Sequence, residues 1–361
     1  MLIIGGGLAG MYSALAAAES GAAVRILCKS KTGGSGNSVV AMSVHRFAPD
    51  APGLREDYRR RFLASGAGQQ DAEIAAFFVD HAAAAMERLR GLGLPLEYRT
   101  LSENGGEYPY LACCSPKQGR ILTKAVREKL NGHPNITVED GVTVCDILTE
   151  NGCAQGVLAL CGGEMRVYPA KTVILCCGGA GNVYAATSNT RDVTGDGYAM
   201  AAALGHTIVP PRGSLVPLES GDPDCAAMQG LSLRNVEATV LNGRNKPVFR
   251  EFGEMLFTHF GVSGPLMLSA SAHLRRWDKE QYRLVIDLKP ALDEQKLDTR
   301  ILRDIGENPN RDMGNILAGL VHRSMVPVLL RRLALPEGEK ANSLTREQRR
   351  VLCLLYTSDA A

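Results

Sequence analysis

The chain has few aromatic residues and no excess of charge of either sign. Among its 361 residues the aromatic fraction is 5%, with one tryptophan, and 40 Lys and Arg residues against 38 Asp and Glu residues give a net charge of +2. No basic stretch is interleaved with aromatic residues, so partners such as nucleic acid or an anionic membrane are not expected. Hydrophobic residues at 45% and charged residues at 22% are typical of a globular protein.

Long apolar runs, local metal motifs and a secretory signal are also missing. No run reaches the ~18 apolar residues of a membrane-spanning helix. The ten cysteines form no CxxC pair and no two histidines lie close together, so no metal site is predicted. Because a chain of this length needs no disulfides, we expect a reduced protein of the cytoplasm.

A glycine-rich turn lies between two predicted strands at the start of the chain. Residues 2–4 form a short apolar strand, and an Ala-rich helix separates them from a second strand at residues 23–28. The turn that follows the first strand fits G-x-G-x-x-G and reads Gly5-Gly6-Gly7-Leu8-Ala9-Gly10. Gly5 allows the tight turn, Gly7 lets the backbone approach a pyrophosphate, and Gly10 lets helix and strand pack closely. With the helix N-terminus facing the phosphates, the pattern predicts a dinucleotide-binding βαβ unit.

The end of the second strand lacks the Asp or Glu that usually binds a ribose hydroxyl. It reads Cys28-Lys29-Ser30-Lys31, where Lys29 either neutralises a phosphate or lies in solvent. Together with the Ser/Gly-rich stretch at residues 32–41, this block resembles the FAD domain of the succinate dehydrogenase, fumarate reductase and L-aspartate oxidase flavoproteins. In that group a Ser or Lys replaces the Asp or Glu at the end of the second strand. The resemblance implies noncovalent FAD, because Asn37 stands where covalently flavinylated members carry a histidine.

Further blocks fit the same resemblance. Strand-like stretches at residues 136–139, 142–144 and 155–160 predict a hairpin or meander, and the apolar run 172–177 predicts a buried strand. A T-G-D-G block containing Asp196 then opens a helix. Asp196 is also a natural helix N-cap, a role compatible with cofactor binding. Motif and resemblance together predict these cofactor-binding residues: Gly5, Gly6, Gly7, Leu8, Ala9, Gly10, Lys29, Ser30, Gly36, Asn37, Ser38, Val142, Cys177, Gly178, Gly179 and Asp196.

The second half of the chain is similar to another family. Residues 206–219, 231–236 and 253–265 resemble the bacterial BaiN-like, or aminoacetone-oxidase-like, NAD(P)/FAD-dependent oxidoreductases, and this resemblance extends to about residue 350. Alternating strands around Asn242-Gly243 predict a hairpin, and a further strand is predicted at residues 281–288. Helical patterns follow. The fumarate reductase resemblance ends near Gly205, beyond which the substrate His and Arg of that family have no counterparts.

One residue outside the flavin loops is a candidate for catalysis. His259 lies in a Gly-rich loop between Thr258 and Ser263. A histidine there could donate to a flavin carbonyl or shuttle a proton, and the alternative is a turn whose histidine caps the next helix.

The sequence therefore predicts an α/β fold, with a Rossmann-like FAD/NAD(P)-binding domain and inserted β-barrel and helical segments. The predicted domains are a discontinuous FAD-binding domain (1–46 and 112–210), a helical insertion (47–111), a β-rich insertion (211–290) and a helical segment (291–352). Residues 353–361 read as the translation of a sequencing adaptor, so we expect the natural protein to continue differently after residue 352.

The predicted function is that of an FAD-dependent oxidoreductase acting on a small organic molecule, with NAD(P)H or oxygen as a candidate partner. Two alternatives stay open. An NAD(P)-only reductase is disfavoured by Lys29 and the T-G-D-G block. A flavin-binding protein without catalysis is the other.

Overall fold

The chain divides into two compact units, one at Met1–Pro211 and one from Arg212 onwards. The structure, a computed structural model, describes residues 1–41, 44–47, 52–66, 70–93, 96–103, 106–113 and 118–356. No helix within these residues is long and apolar enough to cross a membrane.

The first unit alternates strands and helices along the chain. Its strands are β1 (Leu2–Ile4), β2 (Val24–Cys28), β3 (Val44–Arg46), β4 (Leu96–Glu103), β5 (Gly106–Cys113), β6 (Ile136–Asp140), β7 (Val142–Glu150), β8 (Cys153–Cys161), β9 (Glu164–Pro169) and β10 (Val173–Leu175). Its helices are α1 (Leu8–Glu19), α2 (Asn37–Val40), α3 (Pro52–Ser65), α4 (Ala72–Arg90), α5 (Gln118–Asn131) and α6 (Asp196–Ala203).

A parallel sheet with the strand order β10–β1–β2–β6 forms the centre of the first unit. In β1, Ile3 is fully buried and packs with Met11 of α1 and Val126 of α5 on one face of the sheet. Its neighbours Leu2 and Ile4 pack with the β7–β8–β9 sheet on the other face. Burial on both faces explains why β1 is apolar at every position. The predicted Rossmann-like α/β architecture is confirmed.

The meander differs from the prediction in one respect. Ile136–Asp140, predicted as part of it, instead pairs in parallel with β2, and the meander consists of β7, β8 and β9. Gly141, at φ +77°, separates the two sheets. β6 is an edge strand of the parallel sheet and reads Ile-Thr-Val-Glu-Asp. A half-buried antiparallel strand would show the same alternation, so the pattern did not reveal its parallel neighbour.

The segment predicted as a helical insertion, residues 47–111, contains more than helices. After α3 and α4 it enters the β4–β5 hairpin, which forms a small antiparallel sheet with β3 in the order β3–β5–β4. The partner strand β3 lies outside the segment, at Val44–Arg46. This pairing is a tertiary contact, so helical periodicity within the segment did not reveal it.

The second unit combines an antiparallel sheet with a group of helices. Its strands are β11 (Leu218–Glu219), β12 (Ser232–Leu241), β13 (Pro247–Thr258), β14 (Gly261–Ser263) and β15 (Arg283–Asp287). Its helices are α7 (Asp224–Ala227), α8 (Pro265–Ser271), α9 (Glu294–Glu307), α10 (Met313–Leu317), α11 (Val326–Arg332) and α12 (Arg346–Tyr356). The sheet order is β11–β14–β13–β12–β15. The predicted hairpin at Asn242 is confirmed, with the Asn242 amide donating to the Lys246 carbonyl at 2.9 Å.

The last helices form their own apolar cluster. Leu297 and Ile301 of α9 pack there with Leu352 and Cys353 of α12. Cys353, the first residue of the predicted adaptor stretch, is 1% exposed, whereas residues 357–361 lie outside the described residues. The adaptor origin of 353–361 stays a prediction.

Two adjacent residues of α9 test the contribution of this cluster to stability. Ile301 is 0% exposed and Leu302 is 45% exposed. We expect Ile301→Ala to lower the free energy of unfolding by about 2–5 kcal/mol, because it leaves a cavity. Leu302→Ala, the matched control, should change it by about 0.5 kcal/mol or less. Urea unfolding followed by circular dichroism measures both, and equal effects would contradict the packing described here.

Candidate functional site

A cavity of about 600 Å³ lies at the carboxyl ends of the parallel strands of the first unit. Ile4 of β1, Cys28 of β2 and Leu175 of β10 all contribute to its wall. The chain proceeds from β1 to β2 on one side of the sheet and returns to β10 on the other. The cavity therefore lies at the point where the strand order reverses, which is where open α/β sheets bind ligands.

The glycine turn between β1 and α1 permits two close backbone approaches. Gly5 has φ +112°, and a β-carbon there would lie 2.2 Å from the Cys176 carbonyl oxygen. A β-carbon on Gly10 would lie 2.0 Å from the Gly5 carbonyl oxygen. A larger residue at Gly10 would push α1 away from the turn, and one at Gly5 would push the turn away from the segment that follows β10. These contacts agree with the turn and packing roles predicted for Gly5 and Gly10.

The N-terminus of α1 is suited to an anion. Its N-cap is Gly7, which has no side chain to cap the helix, and its first turn contains no acidic residue. The Leu8 amide donates to Ser38 Oγ at 3.1 Å. The remaining first-turn amides have no acceptor within the helix, and the helix dipole places partial positive charge there. The geometry fits a diphosphate held by the turn.

An ion pair joins the ends of β2 and α6 across the cavity. Lys29 Nζ lies 2.7 Å from Asp196 Oδ2. The Thr194 hydroxyl donates to Asp196 Oδ1 at 2.7 Å and also contacts Lys29 Nζ. Burial raises the pKa of Asp196, but the hydrogen bonds from Lys29 and Thr194 outweigh it and hold the pKa below the ordinary carboxyl value. Lys29 is thus paired with a carboxylate, a partner that the sequence did not indicate.

A second carboxylate, Asp192, connects the Ser/Gly-rich loop to the segment before α6. It accepts from the Ser30 hydroxyl and, at 3.3 Å, from the Gly36 amide. Next to it, Asn37 Oδ1 accepts the Thr190 amide at 3.1 Å. Asp192 was not predicted from the sequence as a site residue, although it lies only four residues before Asp196. These contacts fix the loop at the cavity wall.

The structure brings together nearly all of the predicted cofactor-binding residues. Those that line the cavity are Gly5, Gly6, Gly7, Leu8, Ala9, Lys29, Gly36, Asn37, Ser38, Val142, Cys177, Gly178, Gly179 and Asp196. Gly10 and Ser30 do not line it: Gly10 packs beneath the turn, and Ser30 contacts the cavity-lining Asp192. Lining residues that the sequence did not predict include Ser35, Cys176, Asp192, Tyr198 and Ile208.

Two adjacent cysteines form part of the cavity wall. Burial, reinforced by the charge of Asp196, raises the pKa of Cys177 to about 11. Burial also raises the pKa of Cys176, whose Sγ lies 3.9 Å from the Ser13 hydroxyl. Because the thiolate is the reactive form, both side chains act near neutral pH as apolar wall rather than as nucleophiles.

The predicted catalytic residue lies in the second unit. His259 is exposed in the turn between β13 and β14, and its ring contacts Phe260 edge-on at 5.0 Å. It is not among the residues that line the first cavity. Its catalytic role stays a prediction.

A second cavity, of about 490 Å³, lies within the second unit. Its wall is largely apolar, with Trp277, Tyr282 and Arg283 at one part and Asp224 at another. Asp224 is 5% exposed and contacts Arg331 and Arg332 of α11. Two guanidinium groups thus compensate the one buried carboxylate.

Comparison with known proteins identifies the class. Residues 1–216 match the family model of the FAD binding domain, and residues 212–356 match the HI0933-like protein barrel and H2TH domain. The chain belongs to the FAD-binding domain family of flavin-dependent oxidoreductases. The two resemblances found in the sequence are thereby confirmed.

Curated relatives match different shares of the chain. L-aspartate oxidase of Halobacterium salinarum is 31% identical over 223 residues, 57% of this chain and 42% of that protein. Ribosomal RNA dihydrouridine synthase of Escherichia coli is 30% identical over 159 residues, 44% of this chain and 37% of that protein. This chain therefore spans about two fifths of the length of these two relatives. The 3-dehydro-bile acid delta(4,6)-reductase of Clostridium scindens is 24% identical over 357 residues, 96% of this chain and 78% of that protein.

Solved structures support the fold. An E. coli quinol fumarate reductase aligns with a TM-score of 0.53 and 22% identity, covering 83% of this chain and 55% of that one. The 3-ketosteroid-delta4-(5alpha)-dehydrogenase of Rhodococcus jostii aligns with a TM-score of 0.52 and 16% identity, covering 64% of this chain and 59% of that one. At these identities the likeness concerns the fold alone.

The Lys29–Asp196 pair gives the first unit a pH dependence with a definite sign. Since the folded pKa of Asp196 is lowered from 3.8, the pair stabilises the fold above that value and is lost as pH falls through the folded pKa. We expect Asp196→Asn to lower the free energy of unfolding near neutral pH by about 1 kcal/mol or less, because the pair is partly exposed.

Urea unfolding of both proteins, without added FAD, measures the difference in the free energy of unfolding from about pH 7 down to about pH 2, which spans the region below the ordinary carboxyl pKa. The difference in the free energy of unfolding between wild type and Asp196→Asn should become smaller as the pH falls. The control is Glu150→Gln, at an exposed position of the meander. If this difference became larger as the pH falls, the predicted direction of the pH dependence would be wrong.

Proposed function

We propose that the chain binds FAD noncovalently in the first cavity and transfers hydride or electrons between it and a small organic substrate. The observation that carries the proposal is the uncapped N-terminus of α1, set behind the glycine turn at the strand-order reversal. A cavity of about 600 Å³ has the size of sites that bury cofactors. FAD, when bound, supplies the hydride and electron chemistry.

Each group of residues has a separate task in this proposal. Gly5–Gly7 let the backbone approach the diphosphate, and the α1 dipole stabilises its charge. Lys29 adds a cation at the same edge, and its contact with Asp196 holds that carboxylate at the cavity wall, where it would accept a hydrogen bond from the cofactor. The neutral thiols of Cys176 and Cys177 exclude water from the wall without competing chemistry.

Noncovalent attachment is proposed from the chemistry of Asn37. An amide nitrogen is a poor nucleophile, unlike the imidazole of covalently flavinylated relatives. The Asn37 side chain is also engaged with Asn189 and Thr190. Its task is to hold the loop.

The alternatives differ in what they need at the end of β2. An NAD(P)-only reductase needs a residue there that is free to bind the adenosine ribose or its 2′-phosphate, and this chain presents Lys29 paired with Asp196 instead. NAD(P)H or oxygen is proposed as the electron partner of the flavin. We further propose a cytoplasmic location and no membrane partner.

The remaining alternative is a flavin-binding protein without catalysis. It predicts that neither a pyridine nucleotide nor oxygen changes the redox state of the bound flavin.

The names of the relatives suggest different substrate classes, namely an amino acid, a bile acid and a nucleotide within RNA. The bile acid reductase aligns over most of this chain and of its own length, so a small apolar molecule is the proposed class.

A substitution in the glycine turn tests cofactor binding. Gly7 has φ −75°, a conformation open to alanine, and its β-carbon would lie 3.2 Å from Ser38 Oγ. We expect Gly7→Ala to fold but to bind FAD at least about tenfold more weakly, because the methyl group occupies the approach to the diphosphate. Titration of the apoprotein with FAD, followed by flavin fluorescence, gives the affinity.

Gly132→Ala is the matched control, because its β-carbon meets nothing within 4 Å. Wild type and this control should bind FAD equally and release all of it when denatured by heat or acid. Yellow colour that stays with the denatured chain would contradict noncovalent binding. A wild-type chain that binds NADPH but no FAD would overturn the proposal.

The chain should not act on C4 dicarboxylates. Beyond Gly205 the sequence offers no counterpart of the substrate His and Arg of the fumarate reductase family. The L-aspartate oxidase match likewise covers 57% of this chain. We expect FAD-loaded protein to show no fumarate reduction or succinate oxidation above a protein-free control. Turnover of either compound would show that the first unit alone determines the substrate.

A further inference from the structure

The wall of the first cavity carries a net negative charge. Among the described residues that line it, the charged side chains are Lys29, Asp192 and Asp196, so one cation faces two carboxylates and the net charge is −1. A diphosphate still fits, because the amides and the dipole at the N-terminus of α1 receive it without a cationic side chain. The cavity therefore offers one place for a diphosphate and no surplus cation for a further phosphate.

The cation of this wall is already paired. Lys29 Nζ lies 2.7 Å from Asp196 Oδ2 and also contacts the Thr194 hydroxyl. Because the charges of Lys29 and Asp196 largely cancel at this distance, the pair presents little net charge to a ligand. The negative charge that remains belongs to Asp192.

Asp192 is not neutralised by its own contacts. One of its carboxylate oxygens accepts the Ser30 hydroxyl, and the other accepts the Gly36 amide at 3.3 Å. Both donors are uncharged, and within the described part of the chain no Lys or Arg forms an ion pair with Asp192. The side chain is half-buried, so solvent and salt screen its field less than that of a fully exposed carboxylate.

The basic residues nearest to this region in the sequence do not change the balance. Lys31 and Arg191 are both exposed, and neither lines the cavity. The Lys31 side chain instead packs over Gly34, where a β-carbon would lie 2.9 Å from Lys31 Cδ.

The position of Asp192 relates it to one part of a dinucleotide. In dinucleotide-binding folds the adenosine ribose meets the end of the second strand, and proteins that bind NADP place an Arg near there for the 2′-phosphate. In this chain β2 ends at Cys28, and Ser30, two residues further on, donates to Asp192. A carboxylate from the segment before α6 thus lies beside the place where a 2′-phosphate would need a cation.

We propose that Asp192 makes the first cavity selective for dinucleotides without a 2′-phosphate, and so excludes NADP(H) from the cofactor site by charge repulsion. The inference rests on the proposed function, in which this cavity holds the ADP half of FAD. A 2′-phosphate adds negative charge beside a carboxylate, and like charges brought together in a binding site weaken binding and confer specificity. The exclusion concerns the resident cofactor, not an electron donor that meets the flavin later.

Two ligands that differ by one phosphate test the proposal. The flavin-free full chain is titrated with ADP-ribose and with 2′-phospho-ADP-ribose, and isothermal titration calorimetry gives both affinities. Wild type should bind ADP-ribose at least about tenfold more tightly. Raising the ionic strength from about 0.1 M to about 1 M should reduce this preference, because the Debye length falls from about 10 Å to about 3 Å.

A substitution separates the charge of Asp192 from its position. Asp192→Asn keeps a side-chain oxygen that accepts hydrogen bonds and removes the charge. It should reduce the preference by at least about threefold, chiefly through tighter binding of the 2′-phosphate form, whereas a merely structural role would weaken both ligands alike. The matched control is Asp146→Asn, at an exposed position of β7 where the carboxylate accepts the Ile147 amide at 2.8 Å. Asp146 does not line the cavity, so this control should leave the preference unchanged.

Circular dichroism checks that each variant is folded. The proposal is overturned if wild type binds the two ligands equally, if the preference does not respond to salt, if Asp192→Asn leaves it unchanged, or if the control lowers it as much as Asp192→Asn does.

A separate titration with FAD distinguishes this proposal from the flavin proposal. A wild type that prefers ADP-ribose but binds no FAD would contradict the flavin proposal and support the selectivity of Asp192. A wild type that binds FAD and does not distinguish the two ADP-ribose forms would do the reverse. A chain that binds none of the three ligands would contradict both.

Discussion

The close approach of backbone to backbone at the start of the chain is the constraint on which the first unit depends. Gly10 packs against the carbonyl of Gly5, and Gly5 packs against the carbonyl of Cys176. This stacking brings α1 onto the sheet, so the helix N-terminus lies at the carboxyl ends of β1, β2 and β10. A β-carbon at Gly10 would push α1 away from the turn, and one at Gly5 would push the turn away from Cys176. The anion-binding end of the helix and the packing of the core are therefore one feature.

Polar contacts then connect loops that are far apart in the sequence. Lys29 reaches Asp196, and Asp192 reaches Ser30 and Gly36, so two carboxylates before and at the start of α6 hold the loops that follow β2. These contacts join groups of the protein itself, so the protein fixes the loops that form this part of the cavity wall.

The sequence by itself determined the βαβ unit, the glycine turn and most of the residues that line the first cavity, because these depend on residues adjacent in the chain and on backbone conformations that favour glycine. It also identified the two family resemblances. Only the tertiary structure decided that β6 joins the parallel sheet, that β4 and β5 pair with β3, and that Lys29 has Asp196 as its partner. Each of these is a contact between distant segments, and local periodicity and spacing carry no record of which distant segment will be the neighbour.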